Sequence, residues 1–268
     1  MGREENKAIF EESRRLWETD PALHTAMERA RERTVLVPAT KNVPSHEGEE
    51  RQREPVRVRV SRKRSFQAAA SYRSRHVCVL NFASATQPGG GVTWGAGAQE
   101  ECLCRCSTLY PCLDTPAMWE GFYTPHRESD DPLHNDDCIY TPGVTVFRYD
   151  DDEMALLPPD GRFRTDVLTC AAPDLRGTDC AEGKLRRLLE KRIRRIFDLA
   201  ADHGAEVLIL GAFGCGVFAN PPKAVARAFR EVLEDYRTCF ETVEFAVYCS
   251  PGHEENYRAF FNTFNGWN

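Results

Sequence analysis

Three consecutive glycines, Gly89, Gly90 and Gly91, limit the folds open to this chain, because they separate a short apolar segment from a helix-forming one. A glycine run disfavours both strand and helix, since each glycine loses backbone entropy and offers no side chain to pack. The preceding residues 77–82 are apolar enough for a buried strand, and residues 99–109 fit a helix. The glycines therefore indicate a loop at a strand end, where another group approaches the backbone closely.

A second segment has the same organisation. Residues 207–210 predict a buried strand, residues 223–236 predict a helix, and the loop between them carries Gly211, Gly214 and Gly216. Ligands of an open α/β sheet bind beyond the carboxyl ends of its strands, so we expect both loops to open on one crevice. Backbone N–H groups of such loops bind phosphate. Tight strand-to-helix turns also use glycine for structural reasons alone, and that alternative stays open for the second loop.

The remaining pattern predicts an α/β fold with a mixed, mainly parallel sheet and helices on both faces. Further helices are expected over residues 1–35, 66–74, 182–203 and 254–264, and further strands over residues 56–60, 138–149, 163–171 and 243–249. Residues 138–149 fit either one strand or a hairpin around Pro142 and Gly143. Residues 35–54 are expected to form a mobile loop, and residues 128–137 a second loop.

Composition places the chain among soluble globular proteins. Of its 268 residues, 41% are hydrophobic and 28% are charged. No apolar run approaches the roughly 18 residues that a membrane helix needs, and the N-terminus lacks the apolar region of a signal peptide. We therefore expect a cytoplasmic protein, or a nuclear one in a eukaryote, that has no membrane partner.

Charge is distributed unevenly along the chain. The net charge of −6 argues against attraction of the whole molecule to nucleic acid. The segment Arg51–Arg75 nevertheless contains nine basic residues and one acidic residue, Glu54, whereas Asp150–Glu153 is entirely acidic. The basic segment could follow a phosphate-rich polymer or could simply be a solvated face of the protein.

Eleven cysteines, an odd number in a chain without a secretion signal, indicate reduced thiols rather than a disulfide framework. A zinc site has to be considered where several possible ligands cluster, namely at Cys102, Cys104, Cys106, Cys112, His126, His134 and Cys138. Structural zinc sites favour paired C-x2-4-C units, whereas C-x-C-x-C on a helix places neighbouring cysteines on different faces. Small buried thiols are therefore the favoured interpretation.

Glu100 and Glu101 stand together at the start of the predicted helix, and no basic residue lies between Asn81 and Glu101. A carboxylate beside a cradled phosphate suggests cleavage of a bond next to a sugar diphosphate. Hydrolysis of a ribosyl bond needs an acid for the leaving oxygen and a base for water. Glu101 could serve in both roles if burial and Glu100 keep it protonated at neutral pH. Alternatively, the pair only stabilises the helix N-terminus.

The run GGGVTWGAGAQEE resembles the signature of poly(ADP-ribose) glycohydrolases, in which three glycines precede Gln-Glu-Glu after a short spacer. The flanking VLNFASATQPGGG and CLCRCSTLY are similar to the bacterial-type branch, and GAFGCGVFAN is similar to its diphosphate-binding loop. The resemblance covers residues 56–264, and residues 1–35 are similar to the helical extension of that branch. It implies a macrodomain, a three-layer α/β/α sandwich around a mixed sheet, with an N-terminal helical extension. We place the extension at residues 1–50 and the macrodomain-like catalytic domain at residues 51–268.

The resemblance also implies roles for individual residues. Glu101 corresponds to the catalytic glutamate that acts on the ribose–ribose bond, and Glu100 to its partner on the distal ribose hydroxyls. Gln99 supports the placement of both glutamates. Asn81 and Ser84 fall where the family contacts the distal ribose, although vertebrate members carry an acid and an amide at these positions. The substrate is expected to approach at Gly89, Gly90 and Gly91, and its diphosphate to lie against Gly214, Cys215, Gly216, Val217 and Phe218.

Further implications concern the reaction and the partners of the protein. The expected partner is poly(ADP-ribose) or an ADP-ribosylated macromolecule, attacked at chain ends with release of ADP-ribose and without a metal or cofactor. Such a reaction reverses ADP-ribosylation, including that of the DNA damage response, and we expect a monomer. Two alternatives remain open: hydrolysis of another ADP-ribosyl linkage, on a nucleobase, a protein side chain or an O-acyl group, and a module that binds ADP-ribose without cleaving it. The candidates for stacking on adenine are Phe213, Phe245 and Tyr248.

Overall fold

The computed structural model of the chain describes residues 2–267. The helices in this range are α1 (Arg3–Thr19), α2 (Pro21–Glu32), α3 (Ser65–Ala69), α4 (Gln99–Cys106), α5 (Tyr110–Leu113), α6 (Pro116–Met118), α7 (Thr124–Ser129), α8 (Glu182–Asp202), α9 (Pro222–Leu233) and α10 (Glu255–Phe264). The strands are β1 (Val35–Val37), β2 (Arg57–Ser61), β3 (Val77–Phe82), β4 (Cys138–Val146), β5 (Phe163–Cys170), β6 (Val207–Leu210) and β7 (Thr242–Ala246). None of these helices is long and apolar enough to cross a bilayer.

The strands form one seven-stranded sheet in the order β1-β4-β5-β3-β6-β7-β2. Strand β4 pairs in antiparallel fashion with β1 and β5, and the remaining neighbours pair in parallel. The predicted mixed, mainly parallel sheet is therefore confirmed. Because β3 is central and parallel to β5 and β6, the carboxyl ends of these three strands meet at one edge of the sheet.

Side chains on the two faces of the sheet belong to two separate hydrophobic cores. Cys78 and Leu80 of β3 point into the core formed with α8, α9 and α10, whereas Val77 and Val79 point into the core formed with α1, α2 and α4. This alternation is the two-residue period of a strand that is buried on both faces. The predicted three-layer α/β/α arrangement is confirmed.

Local sequence signals locate several helices correctly. Asp20 caps α2 by accepting from the backbone N–H groups of Ala22, at 3.0 Å, and Leu23, at 3.1 Å, so Pro21 occupies the first helical turn as predicted. In α8 the buried side chains recur at helical spacing, and the segment ends before Gly204, which has a φ of 78°.

Other elements differ from the sequence predictions. The expected mobile loop contains β1, which pairs with β4 from Val35 to Val37. Strand β4 is one continuous strand with an irregularity between Thr141 and Val144, so the hairpin alternative is wrong. Short helices α5, α6 and α7 occupy a segment for which the periodicity predicts no element.

The basic segment Arg51–Arg75 is largely neutralised by acids from distant parts of the chain. Arg57 and Arg75 pair with Glu241, and Arg62 pairs with Glu254 at 2.7 Å. Arg64 contacts Asp152. These pairs favour the interpretation of the segment as a solvated face over that of a track for a phosphate-rich polymer.

Candidate active site

A cavity of about 730 Å³ opens at the carboxyl edge of the sheet, and both glycine loops line it. From the first loop and α4 it receives Ser84, Gln87, Gly90, Gly91, Trp94, Gln99, Glu100 and Glu101; from the second it receives Ala212, Phe213, Gly214, Gly216, Val217 and Phe218. The prediction that the two loops open on one crevice is confirmed. The parallel arrangement of β3 and β6 explains the convergence, since their carboxyl ends are neighbours.

The first loop is shaped so that the paired carboxylates can lie against its backbone. Gly89 and Gly90 have φ values of 63° and 57°, a region that other residues rarely adopt. A Cβ atom on Gly90 would stand 2.6 Å from Oε1 of Glu101 and 3.0 Å from Oε2 of Glu100. Gly90 is therefore required for the close approach of these glutamates, and not only for turning the chain.

Glu101 lies in the first turn of α4 with one carboxylate oxygen held and the other unpaired. The backbone N–H of Gly91 donates to Oε1 at 2.8 Å. Oε2 is buried and has no hydrogen-bond partner among residues 2–267. The side chain is only 7% exposed, yet it lines the cavity. This arrangement leaves one oxygen of a fixed carboxyl group available to a ligand.

Glu100 is held more completely than Glu101. The backbone N–H of Ser84 donates to its Oε2 at 2.7 Å, and Nδ2 of Asn81 donates to its Oε1 at 3.2 Å. Burial raises the pKa of Glu100 to about 8. The hydrogen bond from the Ser84 N–H lowers this pKa, whereas the adjacent charge of Glu101 raises it further. At neutral pH Glu100 is thus mainly a neutral acid, which can both donate and accept a hydrogen bond.

Gln99 fixes the start of α4 to the end of β3. Its Oε1 accepts from the backbone N–H of Phe82 at 2.9 Å, and its Nε2 donates to the carbonyl of Leu80 at 2.8 Å and to Oγ of Ser65 at 3.0 Å. Gln99 lines the cavity, but its polar atoms are engaged within the protein. Its side chain therefore orients the two glutamates that follow it.

Asn81 and Ser84 lie at the end of β3, where the sequence places them. Asn81 is fully buried between Glu100 and Oγ1 of Thr169, and its Oδ1 has no partner within the described residues. Ser84 accepts on Oγ from the backbone N–H groups of Thr86 and Gln87, at 3.3 and 3.2 Å. Thr169, on β5, escapes prediction because only the sheet pairing brings it beside Asn81.

The second loop combines a structural glycine with an open one. Gly214 has a φ of 72°, and a Cβ atom there would stand 2.5 Å from Cβ of Ala172 and 2.6 Å from Nδ2 of Asn220. Nothing lies within 4 Å of a Cβ atom on Gly216. Asn220, which the sequence analysis does not single out, holds the loop by donating to the carbonyls of Pro173, at 2.7 Å, and Gly214, at 3.1 Å.

Backbone donors of the second loop are available to an anion. The N–H groups of Gly216, Val217 and Phe218 donate to no acceptor in the described part of the chain, whereas that of Cys215 donates to the carbonyl of Ala212 at 3.0 Å. Val217 is 60% exposed at the cavity mouth. Three consecutive N–H groups without an acceptor in the described residues are donors that phosphate oxygens could use.

Asp150 is a cavity residue that the sequence analysis treats only as part of an acidic segment. It is 5% exposed, and its Oδ2 accepts from the backbone N–H of Phe66 at 2.9 Å. Its Oδ1 is buried and has no partner within residues 2–267. Burial raises the pKa of Asp150 to about 6, although the nearby charge of Arg64 acts in the opposite direction. No local signal could reveal this placement, because the contact with Phe66 spans 84 positions.

Of the three aromatic candidates for adenine stacking, Tyr248 is the one exposed in the cavity. Tyr248 is 49% exposed, and the guanidinium of Arg64 lies over its ring, 4.4 Å from the ring centroid. Phe245 is fully buried among other rings, including Phe264 at 4.4 Å. Phe213 is also fully buried, with its ring 6.0 Å from that of Phe82.

The clustered cysteines are separate buried thiols. Cys102, Cys104, Cys106 and Cys112 are all buried and unpaired. No group of three or more histidine, cysteine or acidic side chains between residues 2 and 267 is arranged to hold a metal ion. Burial raises the pKa of Cys104 and Cys106 well above the usual thiol value, which keeps them in the unreactive thiol form.

Comparison with known proteins shows the family of this chain. Residues 9–149 match the family profile described as "Microbial-type PARG, catalytic domain". The structure of poly(ADP-ribose) glycohydrolase from Thermomonospora curvata is similar to this chain with 32% sequence identity and a TM-score of 0.88, over 97% of this chain and 100% of that one. The same enzyme bound to the inhibitor ADP-HPD gives a TM-score of 0.85 at the same identity and coverage.

A second bacterial enzyme is similar as well. The structure of poly(ADP-ribose) glycohydrolase from Deinococcus radiodurans in complex with ADP-ribose has 34% sequence identity to this chain. The similarity covers 90% of this chain and 97% of that one, with a TM-score of 0.78. Among curated protein sequences, none matches significantly.

Proposed function

The chain belongs to the microbial-type poly(ADP-ribose) glycohydrolase family and is an enzyme of that class, and we propose how its residues hydrolyse the ribose–ribose O-glycosidic bond. The observation that carries the proposal is the state of Glu101. One of its oxygens is fixed by the N–H of Gly91, and the other is buried at the cavity without a partner in the described residues. A fixed carboxyl group with one available oxygen is what general acid and base catalysis requires.

The proposed reaction uses Glu101 twice. As an acid it gives its proton to the ribosyl oxygen that leaves, while the bond between that oxygen and the anomeric carbon breaks through an oxocarbenium-like state. As a carboxylate it then takes a proton from water, whose oxygen bonds to the anomeric carbon. The proton that Glu101 gained restores the acid, and ADP-ribose is released.

Glu100 is proposed to hold the ribose on which this reaction takes place. Its raised pKa of about 8 leaves it neutral at pH 7, so it can donate to one ribose hydroxyl and accept from another. A negative charge on Glu100 beside the proposed acid is also avoided. Asn81 is proposed to support Glu100 through its Nδ2, and Ser84 through its backbone N–H, because both donate to the Glu100 carboxyl group.

The diphosphate of the substrate is proposed to lie on the second loop. The free N–H groups of Gly216, Val217 and Phe218 support this assignment, together with the open space above Gly216. Cys215 contributes through backbone geometry, since its own N–H is used within the loop. The ring of Phe218 lies at the cavity wall, with the guanidinium of Arg176 at 5.7 Å from its centroid.

Adenine is proposed to stack on Tyr248 and to be recognised by Asp150. A flat, half-exposed aromatic ring offers the stacking surface. The unpaired Oδ1 of Asp150 is an acceptor for the exocyclic amine that distinguishes adenine from hypoxanthine. Arg64 joins the two groups, because its guanidinium lies over the Tyr248 ring and close to Asp150.

We further propose a monomeric, cytoplasmic enzyme that acts at chain ends and reverses ADP-ribosylation, including that formed in the DNA damage response. Eleven free cysteines fit a reducing compartment. Light scattering on the purified protein tests the first point, since a mass of two chains would contradict it.

The experiment that tests the function compares three labelled substrates: poly(ADP-ribose), mono-ADP-ribosylated protein and ADP-ribosylated DNA. We expect ADP-ribose release from the polymer at a rate that exceeds the other two. Gel analysis of the same polymer should show free ADP-ribose from the first time points without a ladder of released oligomers. Release from modified protein or DNA alone would favour the other linkage class, and binding without any release would favour a binding module.

A further inference from the structure

A second cavity, of about 550 Å³, lies between α2 and the first residues of β5. Four arginines line it: Arg29 from α2, Arg33 from the C-cap of α2, and Arg162 and Arg164 from the segment that begins β5. No carboxylate is among its lining residues in the described chain. We refer to these four arginines and the cavity between them as the arginine groove.

The charges of the arginine groove are mostly uncompensated. Arg162 pairs with Asp20 at 2.8 Å, and its Nε has no acceptor. Arg29, Arg33 and Arg164 are exposed, and within residues 2–267 their side chains have neither an ion pair nor a hydrogen bond. Like charges that converge without a counter-ion repel one another, so the arrangement is favourable chiefly when an anion is bound.

The contrast with the basic segment Arg51–Arg75 is informative. That segment contains nine basic residues, but several of them form ion pairs with acidic residues from elsewhere in the fold. The arginine groove is assembled from two segments about 130 positions apart, and it keeps its charge. Arg29 lies in α2 and Arg33 is the C-cap residue of that helix, one turn further on, and both line the same cavity.

Guanidinium groups suit phosphate, as they suit carboxylate, because their planar donors match two oxygens of either anion at once. A further guanidinium, that of Arg73, lies 4.8 Å from the ring centroid of Phe163, which also lines the groove. The site thus presents several forked donors around a space large enough for more than one phosphate group.

Strand β5 connects the arginine groove to the active site. Thr169, near its carboxyl end, contacts Asn81, whereas Phe163 and Arg164 at its amino end line the groove. Eight residues at roughly 3.3 Å each place the two sites about 25 Å apart along the sheet. A ligand that occupies both has to be a long, phosphate-bearing chain.

We propose that the arginine groove binds an inner pyrophosphate-bearing segment of poly(ADP-ribose) while the end of the same polymer occupies the active site; this rests on the proposed function. The groove retains long polymers near the catalytic glutamates after each release. With a net charge of −6, the protein otherwise repels a polyanion, so a local basic site supplies the attraction. An extended duplex would require a broad basic face rather than one confined groove.

The test uses polymer binding in a background that cannot cleave it. In Glu101→Gln protein, the additional change Arg29→Gln and Arg33→Gln should weaken affinity for long poly(ADP-ribose) about tenfold or more at low salt. The slope of log affinity against log salt should fall by about one for each arginine removed. Affinity for free ADP-ribose, which fills only the active site, should stay within twofold. Both positions are exposed, one in α2 and the other at its C-cap, so glutamine is expected to preserve folding.

The matched control is Arg187→Gln with Arg227→Gln, which removes the same charge from exposed positions on α8 and α9 that line neither cavity. We expect this control to change polymer affinity less than twofold. Equal losses in control and groove variants would reduce the effect to net charge and overturn the proposal. The proposal would also be overturned if the groove variant kept its affinity for the polymer. A groove variant that lost affinity for single-stranded DNA but not for poly(ADP-ribose) would overturn it as well.

Turnover separates this inference from the proposed function. With Glu101 intact, the groove variant should lower kcat/KM for long polymer while leaving that for a dimer of ADP-ribose unchanged. If the groove assignment is wrong, the groove variant should cleave both substrates with the same kcat/KM as the unmodified protein. If the proposed function fails, no length of polymer is cleaved by the unmodified protein.

Discussion

At the scale of single residues, the two adjacent glutamates occupy different electrostatic environments. Glu100 accepts two hydrogen bonds in a buried position, whereas Glu101 keeps one oxygen without a partner among residues 2–267. Pairs of carboxyl groups whose surroundings differ in this way commonly divide catalytic roles. The sequence predicts that both residues lie at the start of a helix beside the first loop, as in the structure, but it does not reveal that burial raises the pKa of Glu100.

Glu100→Gln should change how stability depends on pH. Because the pKa of Glu100 is raised from 4.5 to about 8, the folded protein binds the proton more tightly than the unfolded chain does. Its contribution to stability is therefore complete below pH 4.5 and is lost as the pH rises toward 8. Glutamine cannot ionise, so the variant should gain stability relative to the unmodified protein over this range, by a few kcal/mol at most.

Urea unfolding of both proteins at pH 5 and pH 8 measures this difference. The control is Glu120→Gln, on the segment between α6 and α7, which should show no such trend. A stability difference for Glu100→Gln that is constant between the two pH values would contradict the assignment of a protonated Glu100.

Asp150→Ala should remove recognition of the adenine amine. We expect the unmodified protein to prefer ADP-ribose to its hypoxanthine counterpart, whose carbonyl would face the carboxylate. In the variant, ADP-ribose affinity should fall about tenfold, the order of one lost hydrogen bond to a charged group. Calorimetry with both ligands gives the answer: a preference for adenine that survives in the variant would place the amine elsewhere.

At the scale of elements, the strand–glycine–helix units could be predicted well and the short elements poorly. Strand β3 and helix α8 have strong apolar patterns, which local sequence reveals. Strand β1 has three residues and exists because β4 pairs with it, so nothing local indicates it. Helices α5, α6 and α7 carry prolines in their first turns, which suit helix starts but resemble loop sequence when the helices are short.

The second loop offers a substitution that tests ligand binding with little effect on the fold. Gly216→Val adds a side chain where no protein atom lies within 4 Å, at a position outside the left-handed region. We expect ADP-ribose affinity to fall at least tenfold, because the new side chain occupies the space assigned to the diphosphate. Thermal unfolding should change little.

Gly214→Ala is the informative counterpart, since a Cβ atom there would clash with Ala172 and Asn220. That variant should lose stability as well as affinity. If Gly216→Val left ADP-ribose affinity intact, the loop would be a structural turn and its assigned role in phosphate binding would be wrong.

Helix α1 supports the catalytic loop, a role that the sequence does not indicate. Nδ2 of Asn6 donates to the carbonyl of Gly95 at 3.0 Å, and Ser13 donates to the carbonyl of Arg105, in α4, at 2.8 Å. A Cβ atom on Gly95 would stand 2.1 Å from the carbonyl oxygen of Arg3, so the helix packs directly on the loop that follows the glycines. Helix α1 thereby stabilises the position of the loop and of helix α4, which contains Glu101.

Arg148→Ala should detach this helix. The buried guanidinium donates to Oγ of Ser13 at 2.9 Å, to the carbonyl of Met154 at 3.0 Å and to Glu12 at 2.7 Å. Its removal leaves buried acceptors unpaired, and we expect a loss of about 3 kcal/mol in the free energy of unfolding, measured with urea. Arg14→Ala, which breaks an exposed pair with Glu11, should cost less than about 0.5 kcal/mol. Similar losses of unfolding free energy in the two variants would contradict the proposed role of Arg148 in holding helix α1.

At the scale of the whole molecule, one sheet supplies both halves of the site. The first loop follows β3 and the second follows β6, and parallel pairing of these strands brings a carboxyl pair and a set of phosphate donors to one cavity. Order along the chain therefore sufficed to predict that the two loops open on one cavity. It could not predict Asp150, Thr169, Asn220 or the arginine groove, because each depends on contacts between segments far apart in sequence. The division of the chain at residue 50 stays a prediction.

The central claim is that Glu101 is the acid of a poly(ADP-ribose) glycohydrolase, and Glu101→Gln tests it most directly. Glutamine preserves the shape of the side chain and the acceptor for the Gly91 N–H, but it can neither give nor take the catalytic proton. The matched control is Glu128→Gln at an exposed position of α7. The measurement is single-turnover release of ADP-ribose from labelled polymer, paired with calorimetry of ADP-ribose binding. We predict that release falls at least about a hundredfold, while ADP-ribose affinity stays within about tenfold. Release within a few-fold of the unmodified rate would contradict the account.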